Sequence, residues 1–449
     1  MEGWAGHCDR AARRGYMLDT LSVTDVRVYG NCFICRRYCM ADAHQVMMSL
    51  ESPAVTSVRV NGDGGLDVVA AVLPALLAGI VGLGWSKDNL RTADRCYVDG
   101  LFPNGTVKWP CGSINQAEGT SGAYVMQLQQ TILATMSLGP VGLADQLSAR
   151  PDDPSATITS NKTLVMGTCS TDGTLLQPSF PLTPVPRMTL GSGEFGDCFA
   201  QGKRTSGYGC GTHLWATYTA VPVTAGSGGD GDVSAGSVGL WFAALAFVDI
   251  NQRTFVSLRE SDMASMIDYA ALPSQDFGDV PTGAYEGPGA SFQKDHSYVW
   301  WTGDFVNQRD CTGVSVAKFT RTAALGPIGS SKDASGKAGA GNQTQANVAP
   351  VFGGIALLGE AGKVTAVSTY RFASVTVGSS SSKLTVGLRG KAGESVLLLF
   401  AVQSASSDYT CVSKTAIVGP DGTGAFEFSK LNKLDIAGDS MLDATAQLK

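Results

Sequence analysis

Hydrophobic and polar positions change character once along this chain. Over residues 1–190, short apolar runs alternate with longer stretches of helical spacing. Residues 55–60 (VTSVRV) and 135–143 (TMSLGPVGL) read as strands, whereas 67–80 and 123–135 read as helices. Strand, loop, helix, strand is the rhythm of a parallel α/β layer, because parallel neighbours need a long crossover between them. From Val68 to Trp85 there are 18 residues without a charge, the lower edge of a membrane-spanning length. Pro74, Gly79, Gly82 and Gly84 interrupt that run, and Asp67 and Lys87 close it. It therefore predicts a buried helix leading into a buried strand, and no membrane span.

Beyond about residue 178 the pattern turns to strands. Pro178, Pro181, Pro184 and Pro186 form a rigid connector, since proline fixes φ and removes a donor. Strand-like runs follow at 213–225, 240–248, 298–301, 383–388, 395–402 and 415–428. The last contains Pro420-Asp421-Gly422, a turn signal between two apolar runs. Gly/Ser/Asp-rich stretches at 226–237 and 323–350 read as loops or linkers. The division expected is an α/β part over 1–190, a β-rich part over 191–322, a flexible linker over 323–350, and strands over 351–449 that complete or extend a β-sandwich. Residues 16–35 interrupt the first part where a short connection belongs, and read as a surface insertion or as a retained non-coding segment translated in frame.

Composition narrows the class. The chain has 449 residues, enough for two or three domains at roughly 100–200 residues each. Charged residues are only 16 %, against about 25 % in an ordinary soluble domain, which excludes a disordered tail or a charged coiled coil. Thirty-three basic against 39 acidic residues, with no basic block, exclude a nucleic-acid partner. Eleven cysteines and three Asn-x-Ser/Thr sequons, at Asn104, Asn161 and Asn342, point to an oxidising, secreted or lumenal setting. The first 15 residues (MEGWAGHCDRAARRG) have no apolar core of a signal peptide and read as the interior of an amphipathic helix, so the expectation is that a beginning is missing.

Candidate chemistry is sparse. Gly191-Ser192-Gly193-Glu194-Phe195-Gly196 has dinucleotide-binding spacing but no helical pattern behind it, and reads as a turn. Cys32, Cys35 and Cys39 lack a fourth zinc ligand at characteristic spacing, so scattered thiols or one disulfide explain them better than a metal. There is no nucleophile elbow and no phosphate-binding lysine loop. No cofactor is implied. Carboxylates remain. Asp63 follows the strand at 55–60, four residues after Arg59, in a stretch (NGDGG) that is equally an ordinary turn.

Several segments together resemble a family. Tyr38-Cys39-Met40, His44, Ser49-Leu50-Glu51, Val55-Thr56 and Arg59 look like uncharacterised eukaryotic proteins related to the α-galactosidase and raffinose synthase barrels. Leu138-Gly139-Pro140-Val141-Gly142-Leu143-Ala144-Asp145 resembles the glycine–proline strand ending those barrels. Leu164-Val165, Asp172-Gly173-Thr174-Leu175-Leu176 and Pro178 are similar to the segment leading into their β domain. The likeness covers roughly residues 36–190, and the β region more loosely.

The resemblance implies the C-terminal half of a (β/α)8 barrel followed by a β-sandwich, with a retaining two-carboxylate mechanism on an α-linked glycosyl group. Asp63 matches the acid/base position, four residues after an arginine; Arg59 would hold a substrate hydroxyl or the nucleophile. Cys39, Trp85 and Asp88 would line the sugar pocket. The first four strands have no counterpart here, so the nucleophile is expected upstream, and Asp19 and Asp25 belong to the insertion. The functional expectation is a glycoside hydrolase-like chain that is inactive and poorly soluble as written. The alternative is a non-catalytic carbohydrate-binding or structural protein. Either way the ligand is a carbohydrate.

Overall fold

The computed structural model describes residues 36–38, 46–47, 55–60, 68–81, 83–87, 90, 92, 121–143, 161–185, 213–226, 237–247, 256–259, 263, 297–303, 308–319, 322–325, 345–378 and 382–430. The first layer is a three-stranded parallel sheet, β1 (Arg36–Tyr38), β2 (Val55–Arg59) and β3 (Gly84–Ser86), in the order β1-β2-β3. Helix α1 (Val68–Ile80) crosses from β2 to β3, as the uncharged run predicts. Among the described residues no helix is long and apolar enough to cross a membrane. Helix α2 (Ser121–Met136) then leads to single parallel bridges, Leu138 beside Trp85 and Leu143 beside Leu90.

The strand expected at 135–143 thus begins later, because α2 runs on through Met136. The apolar run at 131–136 (TILATM) is buried, and the Thr135 hydroxyl donates back to the Thr131 carbonyl, 2.6 Å, as helical side chains do. Ser137 Oγ donates to Ala134 O (2.9 Å) where the helix stops.

The barrel half expected for residues 1–190 is not the architecture found. Strands dominate the described residues, which contain three helices: α1, α2 and the seven-residue α3 (Lys162–Thr168). Half a (β/α)8 barrel needs four strand–helix units in succession. Here the parallel connections from β1 to β2, from β2 to β3 and from β3 to the Leu138 bridge are followed by α3, which leads to no parallel strand. Pro178, Pro181 and Pro184 keep the chain extended after α3, and it enters β4 (Thr183–Pro184), antiparallel to the 13-residue β5 (His213–Ala225). The protein is β-rich.

Around β5 lies a nine-stranded sheet. It contains β6 (Ser237–Phe247), β8 (Ser297–Thr302), β9 (Ser315–Lys318), β11 (Gln345–Val351), β13 (Phe372–Val377), β14 (Lys383–Arg389) and β17 (Thr423–Ser429), in the order β17-β14-β13-β5-β6-β11-β8-β9, with β4 on β5. All its pairings are antiparallel except β13 with β5. A three-stranded sheet, β12 (Ile355–Glu360), β15 (Ser395–Gln403) and β16 (Tyr409–Ile417), faces it. The two sheets share one apolar core, with Phe400 of β15 stacked on Phe428 of β17 at 4.2 Å between ring centroids. A separate pair joins β7 (Val256–Arg259) to β10 (Thr322–Leu325).

Strand β11 overturns part of the linker expected at 323–350. All seven of its residues are buried, between β6 and β8. Its run QANVAPV carries no charge and follows a Gly/Ser-rich stretch, whose composition hides it from a reading of the sequence.

The parallel layer packs on the large sheet through Val58, Ala75, Trp85, Ile132, Leu133 and Met136, which meet Leu182, Trp215 and Leu245. Residues 161–185 strap the two together. Trp85 Nε1 donates to Leu182 O at 2.7 Å, and the Phe180 amide donates to Tyr218 O at 3.1 Å.

Candidate functional site

Ligands of open parallel sheets bind beyond the carboxyl ends of the strands. Arg59 ends β2 and lies in register with Ser86, the last residue of β3; Lys87 follows. The Val60 amide donates to Ser86 O at 3.2 Å and fixes the two ends side by side. Arg59 is 8 % exposed and Lys87 3 %. Two long cationic side chains drawn this far from water require partners, and both have them within the protein. Gly139 completes the floor: its amide donates to Trp85 O at 2.9 Å, and a Cβ there would come within 2.5 Å of that same oxygen and of Ser86 Cβ. Only glycine permits so close a strand approach.

The structure therefore brings Arg59 and Trp85 onto adjacent strands. Trp85 is 2 % exposed, and its ring meets that of Trp215 at 5.7 Å, tilted by 59°. It is a core residue joining the parallel layer to β5, with no face open for a sugar to stack on. Asp63, Cys39 and Asp88 lie outside the described residues, as do residues 16–35, the Cys32–Cys35–Cys39 cluster and the Gly191–Gly196 stretch.

Sequence reading missed a buried ionic cluster. Arg371, 1 % exposed, sits between Glu360 at the end of β12 and Glu394 just before β15. Its Nε donates to Glu360 Oε2 at 2.7 Å, and its two terminal nitrogens donate to Glu394 Oε2 and Oε1 at 2.8 and 2.7 Å. Arg389 O at 2.8 Å and Glu360 Oε1 at 3.5 Å take the remaining N–H groups, so all five donors are engaged. Glu394 also accepts from the amides of Thr171 (3.0 Å) and Lys391 (3.1 Å). Lys363 Nζ lies 3.9 Å from Glu360 and donates to Met166 O and Cys169 O at the C-terminal end of α3.

The two carboxylates respond in opposite directions. Burial alone would raise Glu394, but the Arg371 hydrogen bonds, the Thr171 and Lys391 amides and the Arg371 charge outweigh it and hold the carboxyl at about 2. At Glu360 burial wins, pushing the carboxyl above its usual range against the Arg371 and Lys363 charges. With its donors and acceptors consumed, the cluster is a fastening: it ties the loop after α3 to the β12–β13 connection and the turn before β15. The signals were single charges inside apolar surroundings, IALLGE, YRFASV and GESVLLLF, which spacing rules do not flag.

Two other sequence features acquire places. Asn161 of the second sequon caps α3, its Oδ1 accepting from the amides of Thr163 (3.1 Å) and Leu164 (3.2 Å). Cys311 and Cys411 form a disulfide, Cα–Cα 5.6 Å, between the turn preceding β9 and strand β16, the edges of the two facing sheets. Cys169 is a buried free thiol. Among the described residues no three His, Cys, Asp or Glu side chains converge as metal ligands. Comparison with protein-family models, with curated proteins and with solved structures returns no match for this chain.

Proposed function

We propose that this chain is a non-catalytic carbohydrate-binding protein whose site is the carboxyl end of the parallel strands. The observation that carries this reading is the placement of two cationic residues at the carboxyl ends of adjacent strands, Arg59 in register with Ser86 and Lys87 next to it. Guanidinium and ammonium groups are pure donors, suited to the hydroxyl and ring oxygens of a saccharide. The resemblance of residues 36–190 to α-galactosidase-related proteins supplies the ligand class. A structural role is favoured for the buried carboxylates, because Glu360 and Glu394 are both committed to Arg371. A secreted or lumenal setting is supported by the Cys311–Cys411 disulfide together with the sequons.

The test is titration calorimetry of the full chain with α-linked galacto-oligosaccharides, alongside release of nitrophenol from aryl α-glycosides between pH 4 and 8. Saturable binding with no nitrophenol released is the expected result. Turnover that disappears in Asp63→Asn would replace this reading with the retaining hydrolase. Absence of binding across the oligosaccharide panel would leave a purely structural protein.

A further inference from the structure

A cavity of about 20 Å³ is lined by residues of the large sheet, of β12 and of the connection that follows β12. Thr219 of β5, Trp241 of β6, Asn347 of β11, Pro178, Leu358 and Thr365 are among the residues that line it. Two polar groups of the lining have no hydrogen-bond partner among the described residues: Asn347 Nδ2 and Thr365 Oγ1. Asn347 is 6 % exposed and Thr365 5 %, so bulk water does not satisfy them. A buried polar group left without a partner costs free energy comparable to a lost hydrogen bond, and native interiors rarely leave two on one void.

The orientation of the amides is fixed by their neighbours. Gln345 Nε2 donates to Val364 O at 3.2 Å and to Asn347 Oδ1 at 3.4 Å. Turning the Asn347 amide over would set two donors against each other, and turning Gln345 would set two carbonyl oxygens together. Asn347 must therefore present its NH2 group away from Gln345. Thr365, the residue after Val364, lines the same cavity with its hydroxyl buried and unpartnered.

We infer that this cavity is a binding site for one structural water, which accepts from Asn347 Nδ2 and bonds Thr365 Oγ1. The volume admits one water and little more, and the walls supply the polar partners that distinguish a hydrated void from a dry one. The water joins β11 to the β12–β13 connection a second time, beside the hydrogen bond from Gln345 to Val364 O.

Crystals of the full chain, examined natively and under xenon pressure, test this. The expected result is a well-occupied solvent peak at hydrogen-bond distance from both atoms and no xenon in the cavity. The Asn347→Leu/Thr365→Val double variant should lose the peak while unfolding at no lower urea concentration than either single variant, since both partners are removed together. Empty density or xenon in the native cavity, or a direct protein partner for either group, would overturn the inference. So would a double variant less stable than both singles.

Discussion

Replacing Arg371 by methionine is the sharpest perturbation of this fold. Methionine keeps the length and apolar stem of arginine but removes every one of the five donors that Glu360, Glu394 and Arg389 O receive. Both carboxylates remain buried, at 6 % exposure each, and Glu360 keeps only Lys363 at 3.9 Å. Breaking a buried pair by deleting one partner costs about 3–5 kcal/mol, a large fraction of the roughly 5–15 kcal/mol that holds a domain together. The assay is equilibrium urea unfolding at pH 7, followed by tryptophan fluorescence. Arg371→Met should lose about 4 kcal/mol, and adding Glu360→Gln and Glu394→Gln should restore most of it. A loss under about 1 kcal/mol, or a triple variant no better than the single one, would refute the assignment of the cluster as a fastening.

The pH dependence has a defined sign. Glu394 is depressed from 4.5 to about 2 in the folded protein, so its contribution is complete above the unfolded value and is lost as pH falls toward 2. Its size is on the order of 3 kcal/mol. Glu360, raised, works the other way: its stabilisation is complete below the unfolded value and fades as pH climbs toward the folded one. Acidification should therefore destabilise wild type by less than Glu394 alone implies, and Glu394→Gln should remove the acid limb between 4.5 and 2.

Other consequences are measurable. Replacing Cys311 and Cys411 together by serine opens a closure spanning 100 residues and should lower stability by up to about 5 kcal/mol, read as a fall in melting temperature that dithiothreitol reproduces in wild type. Gly139→Ala should cost about 1–3 kcal/mol and abolish saccharide binding, because its Cβ meets Trp85 O and Ser86 Cβ at 2.5 Å; unchanged binding would separate the site from the strand ends. Asn161→Ala should cost about 1 kcal/mol through loss of the α3 cap, whereas Asn161→Asp should be close to neutral in the same urea titration.

Local order was legible where one face of an element is buried and the period is regular. The run from Val68 predicts α1 and β3, and the expected boundaries of β5 coincide with those found. Of the candidate site residues, Arg59 and Trp85 stand on neighbouring strands, and Trp85 turns its ring into the core. Nothing in its local pattern distinguishes a ring that packs at a tilt against Trp215 from one offered to a ligand. The Arg371 cluster was illegible, since Glu394 and Thr171 are 223 positions apart.

What the sequence determined by itself is the character of each stretch: an uncharged helix, proline-stiffened connections, alternating strands, a Pro-Asp-Gly turn. Those follow from side-chain period and backbone sterics, which act over a few residues. Partnership was decided only by the tertiary structure. The two runs around Pro420-Asp421-Gly422 become β16 and β17, which part company, one joining β15 and the other β14 in the facing sheet. Likewise the parallel crossovers do not continue into a barrel, because beyond α3 the chain meets β5, whose long antiparallel edge accepts β4. A hydrogen-bonding edge is indifferent to sequence distance, and which edge is available depends on how the whole apolar surface is buried.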